Sequence, residues 1–111
     1  MKLDAYTVVL LWRPAGAPQL SSEELDRLQA AHVASNARLR AAGHALTTGP
    51  VADQPDESLR GINVFRTSIE ETRKLMEPDP LVQAGRLRFD VFTWYVPVGT
   101  LGDRPAAQID V

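Results

Sequence analysis

His32 occupies a position where the helical periodicity of the sequence calls for an apolar side chain. The run Leu25, Leu28, His32, Ser35 and Leu39 advances by three and four residues, a spacing that places side chains on one face of a helix. Because its neighbours in this run include leucines on both sides, the imidazole is predicted to point inward. Histidine exchanges a proton near neutral pH, so an inward-facing His32 is a candidate general acid–base. Two alternatives remain open: a packed core histidine, and a helix face that is partly wet around Ser35.

Asp79 is the second residue that could do chemistry. It stands between Pro78 and Pro80, at the junction between the second predicted helix and the last predicted strand. An aspartate followed by a proline is typical of a helix N-cap and the first helical residue after it. The pattern around Asp79 by itself therefore favours capping.

Other residues are candidates for holding a substrate. Asn36 lies one turn after His32, where it could orient a ligand or simply border the apolar face, and Ser35 has the same two interpretations. Arg13 follows the first strand and could bind an anionic substrate, or be a solvated loop residue. His44 comes directly after a helix stop and is expected near the surface. Four aromatic residues could line a pocket, or pack in the core or a dimer interface: Trp12, Phe65, Phe92 and Trp94.

The elements that must position these residues alternate between strand and helix patterns. Strands are predicted over residues 5–12, 44–51, 61–66 and 87–96 from their β-branched and aromatic content. Capping-box spacings start one helix at Ser21, which runs to about Ala42, and a second at Ser68, which stops before Pro78. The order βαββαβ favours a ferredoxin-like α+β sandwich with an antiparallel sheet and both helices on one face. Residues 1–96 are expected to form this domain, and residues 97–111 are a C-terminal tail without a strong pattern that could pack on a second copy of the chain.

Both faces of the predicted sheet are apolar. Successive side chains of a strand point to opposite faces of the sheet. The first and the last predicted strand each place large apolar residues on both faces: Tyr6, Val8, Val9, Leu10, Leu11 and Trp12 in the first, and Leu87, Phe89, Val91, Phe92 and Trp94 in the last. The helices can cover only one face, whereas a sheet with one face in water would show polar alternation. We therefore expect a homodimer formed sheet to sheet. The alternative is that the C-terminal tail folds back over part of this face.

The composition excludes several classes of function. The chain has 111 residues, 44% hydrophobic and 23% charged, with a net charge of −2, as in an ordinary globular domain. It lacks cysteine, which removes disulfides, thiolate nucleophiles and zinc–cysteine sites. There is no basic block for nucleic acid, the apolar run at residues 6–12 is too short to cross a membrane, and two histidines among scattered acids predict no metal site. We expect a cytoplasmic protein with a small-molecule substrate and no cofactor.

Several motifs, taken in order, resemble those of the YCII-related domain family. They are His32 with Leu39 and Gly43, then Gly49-Pro50, Gly61, Ser68-Ile69-Glu70-Glu71, and Asp79-Pro80 with Ala84-Gly85. The resemblance spans roughly residues 5–96. The segment 14–18 and the tail after Pro97 have no counterpart in the family pattern, and the residues after Asp79-Pro80 match less closely.

The resemblance implies a dimeric α+β barrel with a histidine–aspartate pair in a pocket between helices and sheet. Carried over, the histidine is His32 and the aspartate is Asp79. At least one relative is a cofactor-independent dehydrochlorinase of a chlorinated hydroxyhydroquinone. A carboxylate fixes the tautomer of an imidazole, so the pair suits proton transfer on an activated aromatic, polyhydroxylated or enolic substrate. The leading hypothesis is a lyase or isomerase; the alternatives are a non-catalytic small-ligand-binding module and a cofactor-free oxygenase or cyclase of a biosynthetic pathway.

Overall fold

The chain folds into five strands and three helices in the computed structural model, which describes all residues from 1 to 111. In chain order these are β1 (Lys2–Trp12), α1 (Ser22–Ala41), β2 (Ala45–Pro50), β3 (Leu59–Phe65), α2 (Ile69–Met76), α3 (Pro80–Gln83), β4 (Arg88–Pro97) and β5 (Ala107–Asp110). The predicted strands and helices are all present, with ends that differ from the predicted bounds by one to three residues. No helix of the structure is both long enough and apolar enough to cross a bilayer.

The sheet has the strand order β2-β3-β1-β4 with antiparallel pairing throughout. This order together with the βαββαβ sequence of elements is the ferredoxin-like α+β fold, so the predicted fold class is confirmed. β1 lies in the middle because its residues are apolar on both faces, which a central strand can bury. Its side chains from Asp4 to Val9 are all buried.

The serine half of each predicted capping box is formed at the start of the two longer helices, without the return bond from the glutamate side chain. Ser21 Oγ accepts a hydrogen bond from the Glu24 backbone N–H at 3.1 Å, and Ser68 Oγ accepts one from Glu71 at 3.1 Å. α1 gives way to Gly43, whose positive φ of 81° is a left-handed conformation that glycine adopts without strain. These local signals fix the register of α1 and hence the direction in which its side chains point.

Two apolar clusters cover the two faces of the sheet. The inner cluster packs Val9 and Leu11 of β1 against Leu28 of α1 and Met76 of α2. The outer cluster, on the face away from the helices, is centred on Tyr6 and Val8. The predicted alternation of β1 is therefore confirmed. On the outer face Phe92 and Trp94 remain 41% and 44% exposed, so the fold of one chain does not finish covering it.

The C-terminal tail forms part of the sheet, which the sequence pattern did not predict. β5 pairs with residues 2–5 of β1, the stretch that β3 leaves free because it pairs only with residues 7–12. Asp4 holds the tail: its Oδ2 accepts from Gly99 N–H at 2.8 Å and its Oδ1 from Gln108 Nε2 at 2.9 Å. Tyr6 donates to the Leu101 carbonyl oxygen at 3.2 Å. The tail therefore extends the sheet of its own chain along the edge of β1, and only its Leu101 packs against the outer cluster.

Candidate active site

His32 and Asp79 form a buried pair at one end of the inner layer. His32 and Leu28 are the two buried residues of α1, so the predicted inward direction of His32 is confirmed. Its Nδ1 donates to Asp79 Oδ2 at 2.6 Å, and the side chains are 11% and 3% exposed. A short hydrogen bond between a nitrogen donor and a carboxylate in so dry a place is of the strong, charge-assisted kind.

Asp79 caps a helix and binds the histidine at the same time. As the N-cap of α3, its Oδ1 accepts from the backbone N–H groups of Leu81 at 2.9 Å and Val82 at 3.3 Å. Its Oδ2 is left for His32. Because the cap holds the carboxylate rigidly, the carboxylate orients the ring and keeps the proton on Nδ1. The second ring nitrogen, Nε2, then carries the free lone pair of the neutral imidazole.

Asn36 reaches that second nitrogen from one turn along α1. Its Nδ2 donates to His32 Nε2 at 3.3 Å, while its Oδ1 is buried and has no hydrogen-bond partner within the chain. An amide can rotate to present either a donor or an acceptor. Asn36 can thus donate to the neutral ring and accept from the protonated one, which suits a histidine that cycles between the two states.

A cavity of about 550 Å³ opens beside this pair, bounded by α1, the ends of β1 to β3, and α3. His32 and Asn36 line it from the helix side. Its size is in the range of small-molecule sites. The predicted pocket between helices and sheet is therefore present, and His32 faces it.

Asn63 lines the cavity from the sheet side and was not predicted. It is 1% exposed, its Oδ1 has no partner within the chain, and its Nδ2 makes only a 3.9 Å contact with Met76 Sδ. A buried amide oxygen without a partner is costly and unusual, which singles out Asn63 among the residues that line the cavity. The signal was in the sequence: Asn63 alternates with Gly61 and Phe65 on the inward positions of the third strand.

Four arginines also line the cavity, and only Arg13 among them was predicted as a site residue. The others are Arg40, Arg60 and Arg86. None of the four forms an ion pair with a carboxylate of the chain. Burial lowers the pKa of Arg13 below its usual value, and the charges of Arg60 and Arg86 lower it further, against an opposing effect of Glu57. The guanidinium group of Arg13 is therefore close enough to those of Arg60 and Arg86 to be repelled by each of them.

The predicted aromatic lining needs correction, because none of its members lies in the cavity. Phe65 is completely buried in the inner core, since its strand position faces the helices. Trp94 lies on the opposite, outer face of the sheet, paired across from Tyr6. Trp12 packs beneath Arg88, whose guanidinium carbon is 5.6 Å from the ring centroid. Alternation along the strands sends these rings away from His32, and polar side chains surround it instead.

Metal-ligating side chains do not converge anywhere in the structure in groups of three or more. His44 directly precedes β2, is half-buried and is absent from the cavity lining. His32, Asp79, Asn36 and Arg13 are thus the predicted site residues that the fold brings to one place.

A buried imidazole–carboxylate pair beside a cavity on a ferredoxin-like sheet defines the class: a small α+β domain with two ionisable groups in hydrogen-bond contact. The match of residues 7–95 to the YCII-related domain then shows that the chain belongs to the YCII-related family. This membership confirms the predicted resemblance. No curated protein matches the sequence significantly.

Among solved structures, one similar chain is a 5-chloro-2-hydroxyhydroquinone dehydrochlorinase from Burkholderia phenoliruptrix in complex with 2,5-dihydroxybenzoquinone. The two chains superpose with a TM-score of 0.57 and are 18% identical. The match covers 88% of this chain and 99% of the other. At this identity the likeness establishes the fold.

Proposed function

We propose that this protein is a cofactor-independent enzyme of the lyase or isomerase type, with His32 as its general acid–base and Asp79 as its positioning partner. The observation that carries the proposal is the 2.6 Å contact between Asp79 Oδ2 and His32 Nδ1 at the wall of a cavity. The same contact leaves the other ring nitrogen, Nε2, beside Asn36, which lines the cavity together with His32.

The proposed reaction begins with a proton transfer to His32 Nε2. The lone pair of this nitrogen accepts a proton from an acidic O–H or C–H of the substrate, and the Asp79 carboxylate stabilises the imidazolium that forms. In an isomerisation the same N–H returns the proton to a different substrate atom. In an elimination the substrate expels an anion such as chloride, and His32 releases the proton to solvent. The net change is the loss of one molecule of HCl from the substrate.

The structural neighbour supports this choice of chemistry. Its name describes the loss of hydrogen chloride from a chlorinated hydroxyhydroquinone, a substrate whose hydroxyl groups are already acidic. A single positioned acid–base contributes about 10²- to 10⁴-fold in rate, which is enough only for an activated substrate of this kind. We infer a polyhydroxylated aromatic or enolic substrate for this chain as well.

The test uses 5-chloro-2-hydroxyhydroquinone, with chloride release as one readout and exchange of ring C–H in D₂O as a second. Removing the proton acceptor in His32→Asn is expected to lower either rate by about 10²- to 10⁴-fold. The matched control is His44→Asn, the other histidine of the chain, which leaves the rate unchanged. A His32→Asn enzyme that is as fast as the wild type overturns the proposal. A wild type that binds 5-chloro-2-hydroxyhydroquinone but catalyses neither chloride release nor exchange also overturns it, and favours a binding module. An oxygen-dependent product favours an oxygenase.

We also propose that two copies associate through the outer face of the sheet. This face leaves Ile62, Phe92 and Trp94 between 38% and 44% exposed, although the tail already covers part of it. Sedimentation velocity is expected to show a dimer that Trp94→Glu dissociates and Val111→Glu, at the exposed terminus, does not. A wild-type monomer at micromolar concentration would refute the association.

A further inference from the structure

The arginines of the cavity carry an inference that goes beyond proton transfer and rests on the proposed function. Four of the twelve lysine and arginine residues of the chain line this one cavity, and Asp26 is its single acidic lining residue. The chain as a whole has a net charge of −2, so this local excess of positive charge does not follow from a basic composition. Concave clusters of one sign attract ligands of the opposite sign.

Arg60 owes its position to an irregularity of the sheet. Leu11 pairs with Gly61 and Trp12 with Leu59, so Arg60 is the extra residue of a β-bulge in β3. Regular alternation would place it on the outer face with Ile62, whereas it lines the cavity with the inward-facing Asn63. Bulges redirect side chains in this way and are frequent beside functional sites.

Arg13 and Arg86 line the same cavity as Arg60. Arg13 is placed by its backbone N–H, which bonds to the Ser58 carbonyl oxygen at 2.7 Å. Arg86 Nη1 donates to the Pro18 carbonyl oxygen at 2.9 Å and keeps the rest of its guanidinium free. Both also line a smaller neighbouring cavity of about 360 Å³ under the proline-containing loop. Asp26 lines the cavity and the charge of Glu57 acts on Arg13, but no carboxylate of the chain forms an ion pair with any of the three arginines, which leaves their charge available to an anionic ligand.

We propose that Arg13, Arg60 and Arg86 form an oxyanion subsite, and that the substrate of the His32 site is an organic acid. Its carboxylate or phosphate group binds the arginines at the mouth, and its acidic hydroxyl or C–H reaches His32 farther in. The unpartnered oxygens of Asn36 and Asn63 accept hydrogen bonds from hydroxyl groups of the same ligand. The subsite thus strengthens the binding of acidic hydroxylated compounds, while neutral ones still reach the acid–base pair with lower affinity.

A pair of probes that differ by one carboxylate tests the subsite directly: hydroquinone and 2,5-dihydroxybenzoate. Isothermal titration calorimetry at low ionic strength is expected to show that the wild type prefers the acid. Arg13→Met and Arg60→Met should each reduce this preference about five-fold. This is less than a buried hydrogen bond to a charged group would give, because solvent weakens the interaction of a partly exposed arginine. The control Arg73→Met, an exposed arginine of α2, leaves the preference intact.

Each result decides the question. The subsite is refuted if 2,5-dihydroxybenzoate binds the wild type no more tightly than hydroquinone does, whether both bind or neither does. It is also refuted if the Arg13→Met/Arg60→Met double variant keeps the preference for the acid. If inorganic phosphate displaces 2,5-dihydroxybenzoate, the site also accepts phosphate esters. If it does not, the site is restricted to carboxylates. His32→Asn keeps the arginine-dependent preference, so this binding test and the turnover test of the acid–base proposal fail independently.

Discussion

The pairing of His32 with Asp79 has a consequence for stability that a double-mutant cycle can measure. His32→Leu fits the apolar face of α1 but leaves Asp79 Oδ2 buried without a partner. Asp79→Ser retains an oxygen that can cap α3 but leaves His32 Nδ1 unpaired. A buried hydrogen bond to a charged group contributes about 1.5–3 kcal/mol, and with side chains 11% and 3% exposed there is little solvent to weaken it. We expect each single change to cost about 2–3 kcal/mol of unfolding free energy.

The double variant should cost clearly less than the sum of the two single changes. Once one partner is gone, removing the other relieves an unpaired polar group, so we expect a coupling energy of about 2 kcal/mol. Urea unfolding monitored by tryptophan fluorescence gives the four free energies, all measured at one protein concentration because association would add to stability. The comparison holds if the unfolding free energies of the four proteins fall with urea concentration at the same slope.

Additivity of the two changes to within about 0.5 kcal/mol would refute the reasoning, because residues that do not interact behave in that way. Asp79→Ala supplies an internal control for the cap. It removes the oxygen that serves Leu81 and Val82 as well, and should therefore be about 1 kcal/mol less stable than Asp79→Ser. Equal stabilities for these two variants would mean that the cap contributes nothing.

Three further predictions concern other parts of the molecule. Asn36→Leu is expected to lower kcat about ten-fold or more with little change in melting temperature, since it removes a hydrogen bond of a charged intermediate; an unchanged pH–rate profile would contradict this. Gly61→Ala places a methyl group 3.1 Å from the Gly49 carbonyl oxygen at the cavity wall and should weaken ligand binding, measured by calorimetry, more than Gly16→Ala, which meets nothing within 4 Å. Burial, and next the charge of Asp4, raise the pKa of Tyr6 above 10.0, so the folded state holds its proton longer than the unfolded one and stability falls as pH rises through that region. Absorbance titration should show Tyr6 ionising at a lower pH in Asp4→Asn, and an unchanged midpoint would refute the contribution of Asp4.

The inward direction of His32 could be predicted because it depends on local rules. The capping box at Ser21 and the spacing of three and four residues set the register of α1, and a helix turns these into a face. The same holds for Asp79 as a cap before Pro80. The order of elements then restricts the topology to few arrangements, of which the ferredoxin-like one formed.

The aromatic lining could not be predicted in this way. Trp12, Phe65 and Trp94 are the residues one would choose for an aromatic ligand, but period-two alternation within each strand directs them to the core or the outer face. Which face borders the cavity depends on where α1 and α3 pack, and that is decided by contacts far apart in the sequence.

The sequence by itself determined the helix faces, the caps and the strand order, because these follow from spacing within a few residues and from short connections. Only the tertiary structure decided the composition of the site. A carboxylate 47 residues away reaches the ring of His32, a bulge turns Arg60 into the cavity, and β5 occupies the edge of β1 that β3 leaves free. Each of these depends on the distance between segments remote in the chain, which no local pattern of residue types encodes.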